Sequence, residues 1–139
     1  MTIVIRVAGD KDKIQVISLW RLCKLVADYN NPDADFSQAL GKSNSDILVG
    51  VDANENILAA LMVGHDGHRG WIYYVAVHPE HQNQGFGSSM VDAAEKWLSE
   101  RNIRKLMLLV REDNTQVVDF YKKLSFEEAP RVVMQKWLV

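Results

Sequence analysis

Two glycines two residues apart, Gly85 and Gly87, are the feature of this sequence that best predicts chemistry. They lie within Gln-Asn-Gln-Gly-Phe-Gly-Ser at 82–88, between an apolar run at 71–77 and a helical apolar pattern that starts at Met90. A glycine lacks the Cβ atom that would keep a ligand away from the main chain. The first N–H groups of a helix have no carbonyl partner within it, and the helix dipole favours an anion there. The segment therefore predicts a phosphate-binding turn made of main chain.

Other phosphate-binding motifs fit this turn poorly. A P-loop has a lysine directly after its second glycine, where this chain has Ser88. The dinucleotide-binding fingerprint has a third glycine, where this chain has Met90. Because many helices begin with glycine, an ordinary structural turn stays an alternative.

The residues around the glycines make the pattern more specific. The chain reads x-Pro-x-x-Gln-x-x-Gly-x-Gly from His78 to Gly87, after a strand and before an amphipathic helix. This arrangement resembles motif A of the GNAT superfamily of N-acetyltransferases. Residues 114–126 resemble motif B of the same family, with Val118 in place of its alanine and Ser125 in place of its glycine. Gly-His-Asp-Gly-His-Arg-Gly at 64–70 is similar to the bacterial YpeA-type branch.

The resemblance implies a fold and an activity. The fold would be α/β, with a mixed central sheet of about six to seven strands flanked by about four helices, in a single domain over residues 1–139. The activity would be transfer of the acetyl group of acetyl-CoA to an amine acceptor by direct attack. The implied cofactor-binding residues are Val75, Ala76, Val77, Asn83, Gln84, Gly85, Phe86, Gly87, Ser88 and Asn114.

Tyr121 is the catalytic residue that the resemblance implies, as the donor of a proton to the departing CoA thiolate. A phenol has an ordinary pKa near 10, so it carries its proton at neutral pH. Tyr121 also stands on an apolar helical stripe with Val117, Val118 and Leu124, which is typical of a core tyrosine. Asn114 is expected to cap this helix and, by resemblance, to approach the cofactor.

The residue that takes the proton from the amine is not evident. Some protein-acetylating family members have a glutamate at the position of Leu109, so that role is not carried over. The nearby candidates are Tyr73, Tyr74, His65 and Asp66, each of which could instead have a packing or turn role. A water held by a tyrosine or by main chain is a further alternative.

The acceptor site is expected between the first two helices and the 64–70 turn, lined by Trp20, Tyr29, His65 and Tyr73. The acceptor would be a small-molecule or peptide amine, and small family members often form homodimers. An alternative function with the same fold is a non-catalytic sensor that binds acyl-CoA. Another is an α/β protein that binds nucleotide phosphates.

Composition excludes several other classes of protein. The 139 residues have a formal net charge of −2, which argues against nucleic-acid binding. No apolar run is long enough to span a bilayer. One cysteine, Cys23, permits no internal disulfide and suits the cytoplasm. Two His-x-x-His pairs, 65/68 and 78/81, lack further ligands nearby, so no metal is expected.

Alternating and helical patterns predict the elements that would position these residues. A first strand around Ile3 and Ile5 precedes a helix capped by Asp10, whose apolar stripe would be Ile14, Ile17, Leu22 and Leu25, with Trp20 and Cys23 beside it. Further helices are predicted over 33–42, 87–101 and 115–124. Further strands are predicted over 47–51, 57–63, 71–77 and 106–110, with a last strand from Val132 to near Leu138. Strand 71–77 is apolar on both faces and is expected at the centre of the sheet.

Overall fold

The computed structural model describes residues 2–139, which group into two units, one that ends at Leu109 and one over Val110–Val139. The strands are β1 (Val4–Val7), β2 (Ser45–Val51), β3 (Ile57–His65), β4 (Gly70–Val77) and β5 (Leu106–Met107). The α-helices are α1 (Lys13–Leu22), α2 (Pro32–Ala39), α3 (Phe86–Ser99) and α4 (Thr115–Lys123). Short 3-10 turns lie at Asp10–Asp12 and Pro79–His81. No helix in the described part of the chain is both long and apolar enough to cross a membrane.

The first unit is built on one five-stranded sheet with the strand order β1-β2-β3-β4-β5. Neighbours pair antiparallel from β1 to β4, and β4 pairs parallel with β5 through the crossover helix α3. The predicted α/β class, the hairpins and the single parallel pair are therefore confirmed. The described residues form five strands, slightly fewer than the six to seven expected. Strand 71–77 was expected at the centre of the sheet; β4 is an interior strand with a partner on each side, but the middle strand is β3.

Helices cover both faces of this sheet. On one face, Trp20 of α1 and Phe36 of α2 are fully buried in a cluster that includes Val49 and Ala76 from the strands. On the other face, α3 lies so close that a Cβ atom on Gly70 would come within 2.5 Å of Leu98 Cδ1. Glycine at this position is therefore what allows the helix to pack directly on β4.

The predicted stripe of the first helix is only partly buried: Ile17 and Leu25 pack against the core, but the other two residues do not. Ile14 is 81% exposed and Leu22 51% exposed, whereas Val16, Leu19 and Trp20 are buried. Val16, Leu19 and Trp20 have the spacing i, i+3 and i+4, which also forms a helical stripe. The sequence of α1 therefore contains two apolar faces, and either could pack on the sheet. Trp20, which is larger than the exposed Ile14 and Leu22, packs in the core.

The start of α1 also differs from the prediction. Asp12, and not Asp10, occupies the position before the helix. Its buried carboxylate accepts hydrogen bonds from Arg6 Nη1 at 2.7 Å and from the Gly9 N–H at 2.8 Å. Asp12 therefore fixes the junction between β1 and α1 instead of capping the helix with its side chain.

The second unit contains α4 and the C-terminal segment. Asn114 caps α4, as predicted, by accepting a hydrogen bond at Oδ1 from the Val117 N–H at 3.3 Å. The helix ends with Ser125 in the left-handed region at φ 73° and with the Phe126 N–H bonded to the Tyr121 carbonyl. Glycine is the usual residue at such a position, so Ser125 keeps the turn at some conformational cost.

The last predicted strand was wrong. Residues 126–139 form no strand in the structure, and Val132 and Leu138 are 88% and 90% exposed. Alternating β-branched and apolar residues favour an extended chain, but a strand needs a hydrogen-bonded neighbour. The sequence pattern alone contains no information on whether that neighbour is present.

Candidate functional site

The glycine turn forms the start of α3, as its spacing predicted. Gly85 is the N-cap residue and has φ 82°, in the left-handed region that favours glycine. The first helical hydrogen bond runs from the Ser89 N–H to the Gly85 carbonyl at 3.0 Å. The amides of Phe86, Gly87 and Ser88 come before that bond and have no carbonyl partner within the helix. This helix start can therefore receive an anion on main-chain donors.

The turn that leads into α3 is held against the end of β4. The Val77 carbonyl accepts hydrogen bonds from the Cys23 thiol at 3.3 Å and from Gln82 Nε2 at 3.4 Å. Asn83 has φ 63°, and it is exposed together with Gln84 and Gly85. Burial raises the pKa of the Cys23 thiol, so this residue remains protonated and has a structural role.

One edge of β4 is largely without a strand partner. The parallel pairing with β5 includes only Gly70 and Trp71. From Ile72 to Val77 no further strand of the described chain pairs with this edge. The three predicted cofactor-binding residues of this strand, at 75–77, therefore lie in a stretch without a strand partner on this side, where an extended ligand could pair, although the Val77 carbonyl already accepts from Cys23 and Gln82.

A β-bulge interrupts β4 just before that stretch. Ala60 is opposite Ala76 and Met62 is opposite Tyr73, so one residue of β3 faces two residues of β4. Tyr74, one of those two, has φ 56°. A bulky residue with positive φ is rare and strained, and such residues concentrate at functional sites. The bulge also places Tyr73 and Tyr74, although consecutive, along the same cleft.

That cleft has a volume of about 680 Å³ and lies in the first unit. Its wall comes from α2, from β3 and the 64–66 turn, and from β4. The polar and aromatic residues of the wall are Asn30, Asp35, Gln38, Asn44, Ser45, His65, Asp66, Trp71, Tyr73 and Tyr74. A volume of this size suits a small organic molecule.

The structure brings together two of the four residues predicted for the acceptor site. His65 and Tyr73 line the cleft, whereas Trp20 and Tyr29 are not part of its wall. Trp20 is fully buried and stacks on the Tyr74 ring, with 4.1 Å between the ring centroids. Tyr29 is 67% exposed. Trp20 therefore supports the wall from the core, behind Tyr74.

Asp35 is a residue of the cleft that sequence reasoning missed. Its Oδ2 accepts a hydrogen bond from the Tyr74 hydroxyl at 2.7 Å. Burial, reinforced by this carboxylate, raises the pKa of Tyr74 well above its ordinary value, so the phenol stays a donor. The only available signal was an aspartate in the first turn of a short helix, which is ordinary for helix N-termini.

The histidine pairs do not form a metal site in the part of the chain that is described. No group of three or more His, Cys, Asp or Glu side chains there could hold a metal ion. His65 Nδ1 accepts from the Gly67 N–H at 3.0 Å, and His78 Nδ1 accepts from the Glu80 N–H at 3.1 Å. One histidine of each pair therefore stabilises its own turn.

In the second unit, Tyr121 is the one buried residue of α4, with 8% of its surface exposed. Its ring makes edge contacts with Phe120 and Phe126, at centroid distances of 5.0 and 5.3 Å. Burial raises the pKa of Tyr121 to about 12. The phenol therefore holds its proton throughout the neutral range, as a proton donor must.

Comparison with known proteins supplies the family. Residues 14–126 match the model of the acetyltransferase (GNAT) family. An acetyltransferase of Yersinia pestis (strain Pestoides F) is 36% identical over 135 residues, covering 97% of this chain and 95% of the relative.

Solved structures agree in fold. The protein AAC(6')-Iy, in complex with a CoA-containing bisubstrate analog, has a TM-score of 0.84 at 15% identity, with all of both chains covered. The aminoglycoside 6'-N-acetyltransferase AAC(6')-Ih of Acinetobacter baumannii has a TM-score of 0.81 at 18% identity, covering 99% of each chain. On the family match and the Yersinia relative, the chain belongs to the GNAT family of acetyltransferases.

Proposed function

We propose that this protein transfers the acetyl group of acetyl-CoA to the amine of a small molecule bound in the cleft beside β4. The observation that carries the proposal is the continuous main chain from the unpaired edge of β4 to the start of α3. Along this segment, an extended strand edge comes first and a helix N-terminus follows. Acetyl-CoA has the matching sequence of parts, an extended amide-containing arm followed by a pyrophosphate.

Each part of this main chain has a proposed role. The amides of Asn83 to Ser88 hold the pyrophosphate, and the glycines keep side chains away from it. Main-chain groups of Val75, Ala76 and Val77 hold the arm and polarise the thioester carbonyl. The bulge at Tyr74 supports this assignment, because it breaks the ladder directly before these residues. Asn114 is proposed as a further contact to the cofactor, from its position in the second family motif.

The reaction follows from direct attack. The neutral amine forms a C–N bond with the thioester carbonyl carbon, and the C–S bond breaks. The amine nitrogen loses one proton to water or to a nearby acceptor, and the CoA thiolate gains one. Tyr121 is proposed as the donor of that second proton, on its motif position and its raised pKa. No covalent enzyme intermediate is required.

The acceptor is proposed to be a small molecule instead of a protein, because the cleft has the volume of a small-ligand site. One structural neighbour named above, AAC(6')-Ih, is described as an aminoglycoside 6'-N-acetyltransferase, and aminoglycosides are small amines. A cytoplasmic location fits a single half-buried cysteine whose thiol is used in a hydrogen bond.

Two measurements test the proposal together. Acetyl-CoA at a hundredfold excess over its dissociation constant should raise the free energy of unfolding by about 2.7 kcal/mol, and ATP at the same concentration should do much less. A screen of small amines should then detect free thiol release that depends on the amine. Stabilisation without any thiol release would favour the acyl-CoA sensor, and stabilisation by ATP alone would favour a nucleotide-binding protein.

A further inference from the structure

The charge of the cleft wall is one-sided. Asp35 and Asp66 both belong to the wall, and no lysine or arginine of the described chain does. His65 and the tyrosines are the other titratable groups there. A cavity with two carboxylates and no fixed positive charge attracts cations and repels anions.

In each of these carboxylates, one oxygen accepts hydrogen bonds from the described chain and the other accepts none. Asp35 Oδ2 accepts from Tyr74, and Asp66 Oδ1 accepts from the N–H groups of His68 and Arg69 at 2.9 and 2.8 Å. Within residues 2–139, the second oxygen of each has no hydrogen bond, and neither carboxylate has a Lys or Arg partner. Both groups are therefore held in orientation while keeping an acceptor for a ligand.

Two other aspartates of the same unit differ on this point. Asp12 pairs with Arg6, and Asp33, two residues before Asp35 on the same helix, pairs with Lys13 Nζ at 3.0 Å. Like Asp46 and Asp52, the two aspartates of the cleft thus lack, within the described chain, the internal counter-ion that Asp12 and Asp33 have. A cationic ligand would supply it.

Aromatic side chains form another part of the wall, beside neutral polar and aliphatic residues. Trp71 and Tyr73 are stacked with 6.5 Å between their centroids and 16° between their planes. Tyr73 is 45% exposed, so part of this surface is open. Aromatic faces bind the alkyl chains of an acceptor and also attract ammonium groups.

From these features we infer that the acceptor carries a second ammonium group besides the amine that is acetylated, and that Asp35 and Asp66 select for it. This inference rests on the proposed function. The reacting amine must lose its proton before it attacks, so it is neutral at the moment of reaction and gains little from a carboxylate. A second amine that stays protonated during the whole reaction is attracted by the carboxylates both in the bound state and in the transition state. Acceptors with a neutral or anionic second end should therefore be disfavoured.

Acceptors matched in length test the inference. The first set is 1,4-diaminobutane, 1-aminobutane and 4-aminobutanoate, with homologues of three to eight carbons, at saturating acetyl-CoA. We expect kcat/KM for the best diamine to exceed that of its monoamine at least tenfold, and the amino acid to be poorest. Equal values for a diamine and its monoamine, or a peptide N-terminus accepted better than every diamine, would overturn the inference.

Asp35→Asn and Asp66→Asn remove each charge while keeping an oxygen for the existing hydrogen bonds. Each should raise KM for diamines at least tenfold and change it little for monoamines. Asp33→Asn controls for helix α2. Asp52→Asn controls for the turn, because Asp52 accepts from two main-chain N–H groups, of Asn54 and Asn56, in the same way. Both controls should leave KM unchanged, and equal effects in control and test variants would contradict the assignment.

Calorimetry with 1,4-diaminobutane and 1-aminobutane, without acetyl-CoA, separates this inference from the proposed function. Selective diamine binding that Asp35→Asn abolishes, with no thiol release for any amine, would support the charge selection and reject the transferase. Thiol release from monoamines and diamines alike would keep the transferase and reject the charge selection. Absence of both binding selectivity and turnover would reject both.

Discussion

The Tyr74 hydroxyl and Asp35 Oδ2 are 2.7 Å apart, and this hydrogen bond joins the bulge of β4 to helix α2. The same tyrosine ring stacks on Trp20 of α1. One residue with a strained main chain therefore contacts both helices that cover this face of the sheet. The orientation of the Asp35 carboxylate depends on it.

Replacing Tyr74 with phenylalanine should weaken the fold through this bond alone. The ring and its stacking on Trp20 remain, so we expect the free energy of unfolding to fall by about 1.5–3 kcal/mol, the usual value for a hydrogen bond to a charged group. Tyr73→Phe is the matched control, since the Tyr73 hydroxyl makes no hydrogen bond within the described residues, and it should change stability by less than about 0.5 kcal/mol. Urea unfolding measures both. Equal losses in the two variants would show that the Tyr74–Asp35 bond contributes nothing.

Gly85 provides a test of the phosphate-binding turn. Gly85→Ala should cost about 1 kcal/mol of stability, because alanine disfavours the left-handed region. It should also weaken acetyl-CoA binding at least tenfold, by adding a side chain beside the free amides. Gly85→Asn should restore part of the stability, since asparagine tolerates this region better.

Gly41 is the matched control for that experiment. It has φ 64° and, like Gly85, no atom within 4 Å of the position of an added Cβ. Gly41→Ala should therefore lose similar stability without any loss of acetyl-CoA affinity. Calorimetric titration and thermal unfolding of both variants give the comparison. Normal acetyl-CoA binding by a folded Gly85→Ala would place the pyrophosphate elsewhere.

Tyr121→Phe tests the proposed proton donor. It removes one hydroxyl and keeps the ring contacts with Phe120 and Phe126, so the fold should survive. If the phenol protonates the thiolate, kcat should fall about 100-fold with little change in acetyl-CoA affinity. Because the pKa of Tyr121 is raised to about 12, the wild-type kcat should not lose this acid below pH 10. Unchanged turnover in a well-folded variant would assign Tyr121 to packing and leave protonation to water.

The ion pair between Asp12 and Arg6 should make the free energy of unfolding depend on pH in acid. The hydrogen bond from Arg6 lowers the pKa of Asp12 below its ordinary value of 3.8. A carboxylate whose pKa is lower in the folded state stabilises the fold above the unfolded-state pKa, and that stability is lost as the pH falls through the folded-state value. Asp12→Asn should therefore reduce stability at pH 7 by about 2 kcal/mol, since it removes two charged hydrogen bonds from Arg6, which keeps as its acidic partner only the more distant Glu55 at 3.8 Å. The variant should also lose less stability between pH 4 and pH 2.

Asp33→Asn is the control for acid unfolding, because the Asp33 carboxylate pairs with Lys13 on the exposed surface. Exposed pairs contribute about 0–1 kcal/mol, so its stability at pH 7 should be close to that of the wild type. Unfolding by urea at a series of pH values gives the three curves. Parallel curves for Asp12→Asn and the wild type would contradict the role of Asp12.

The parts of the fold that follow from local pattern could be predicted from the sequence. Gly85 before an apolar helical stripe predicted the start of α3, and Asn114 predicted the cap of α4, because both depend on residues a few positions apart. The buried face of α1 could not be chosen, since Ile14 and Val16 belong to two stripes of similar quality. The contact with the sheet decides between them.

The candidate site was predictable only in part for the same reason. His65 and Tyr73 could be predicted because they lie in the 64–70 turn and in the strand that follows it. Asp35 lies 39 positions from Tyr74, and the hydrogen bond between them depends on the bulge. A bulge at tyrosine has no signal in the sequence, because positive φ is normally associated with glycine and asparagine.

The bulge also changes how substitutions and length changes in β4 should be interpreted. In a regular strand, odd and even positions face opposite sides, but here Tyr73 and Ala76 lie on the same side although they differ in parity. Removing one residue at 74 or 75 would restore simple alternation and leave Tyr73 opposite Met62 and Ala76 opposite Ala60, so both flanks would keep their faces. A single-residue deletion at the bulge should therefore disturb the sheet less than a deletion elsewhere in β4, which would exchange the inward- and outward-facing residues on one side of the deletion.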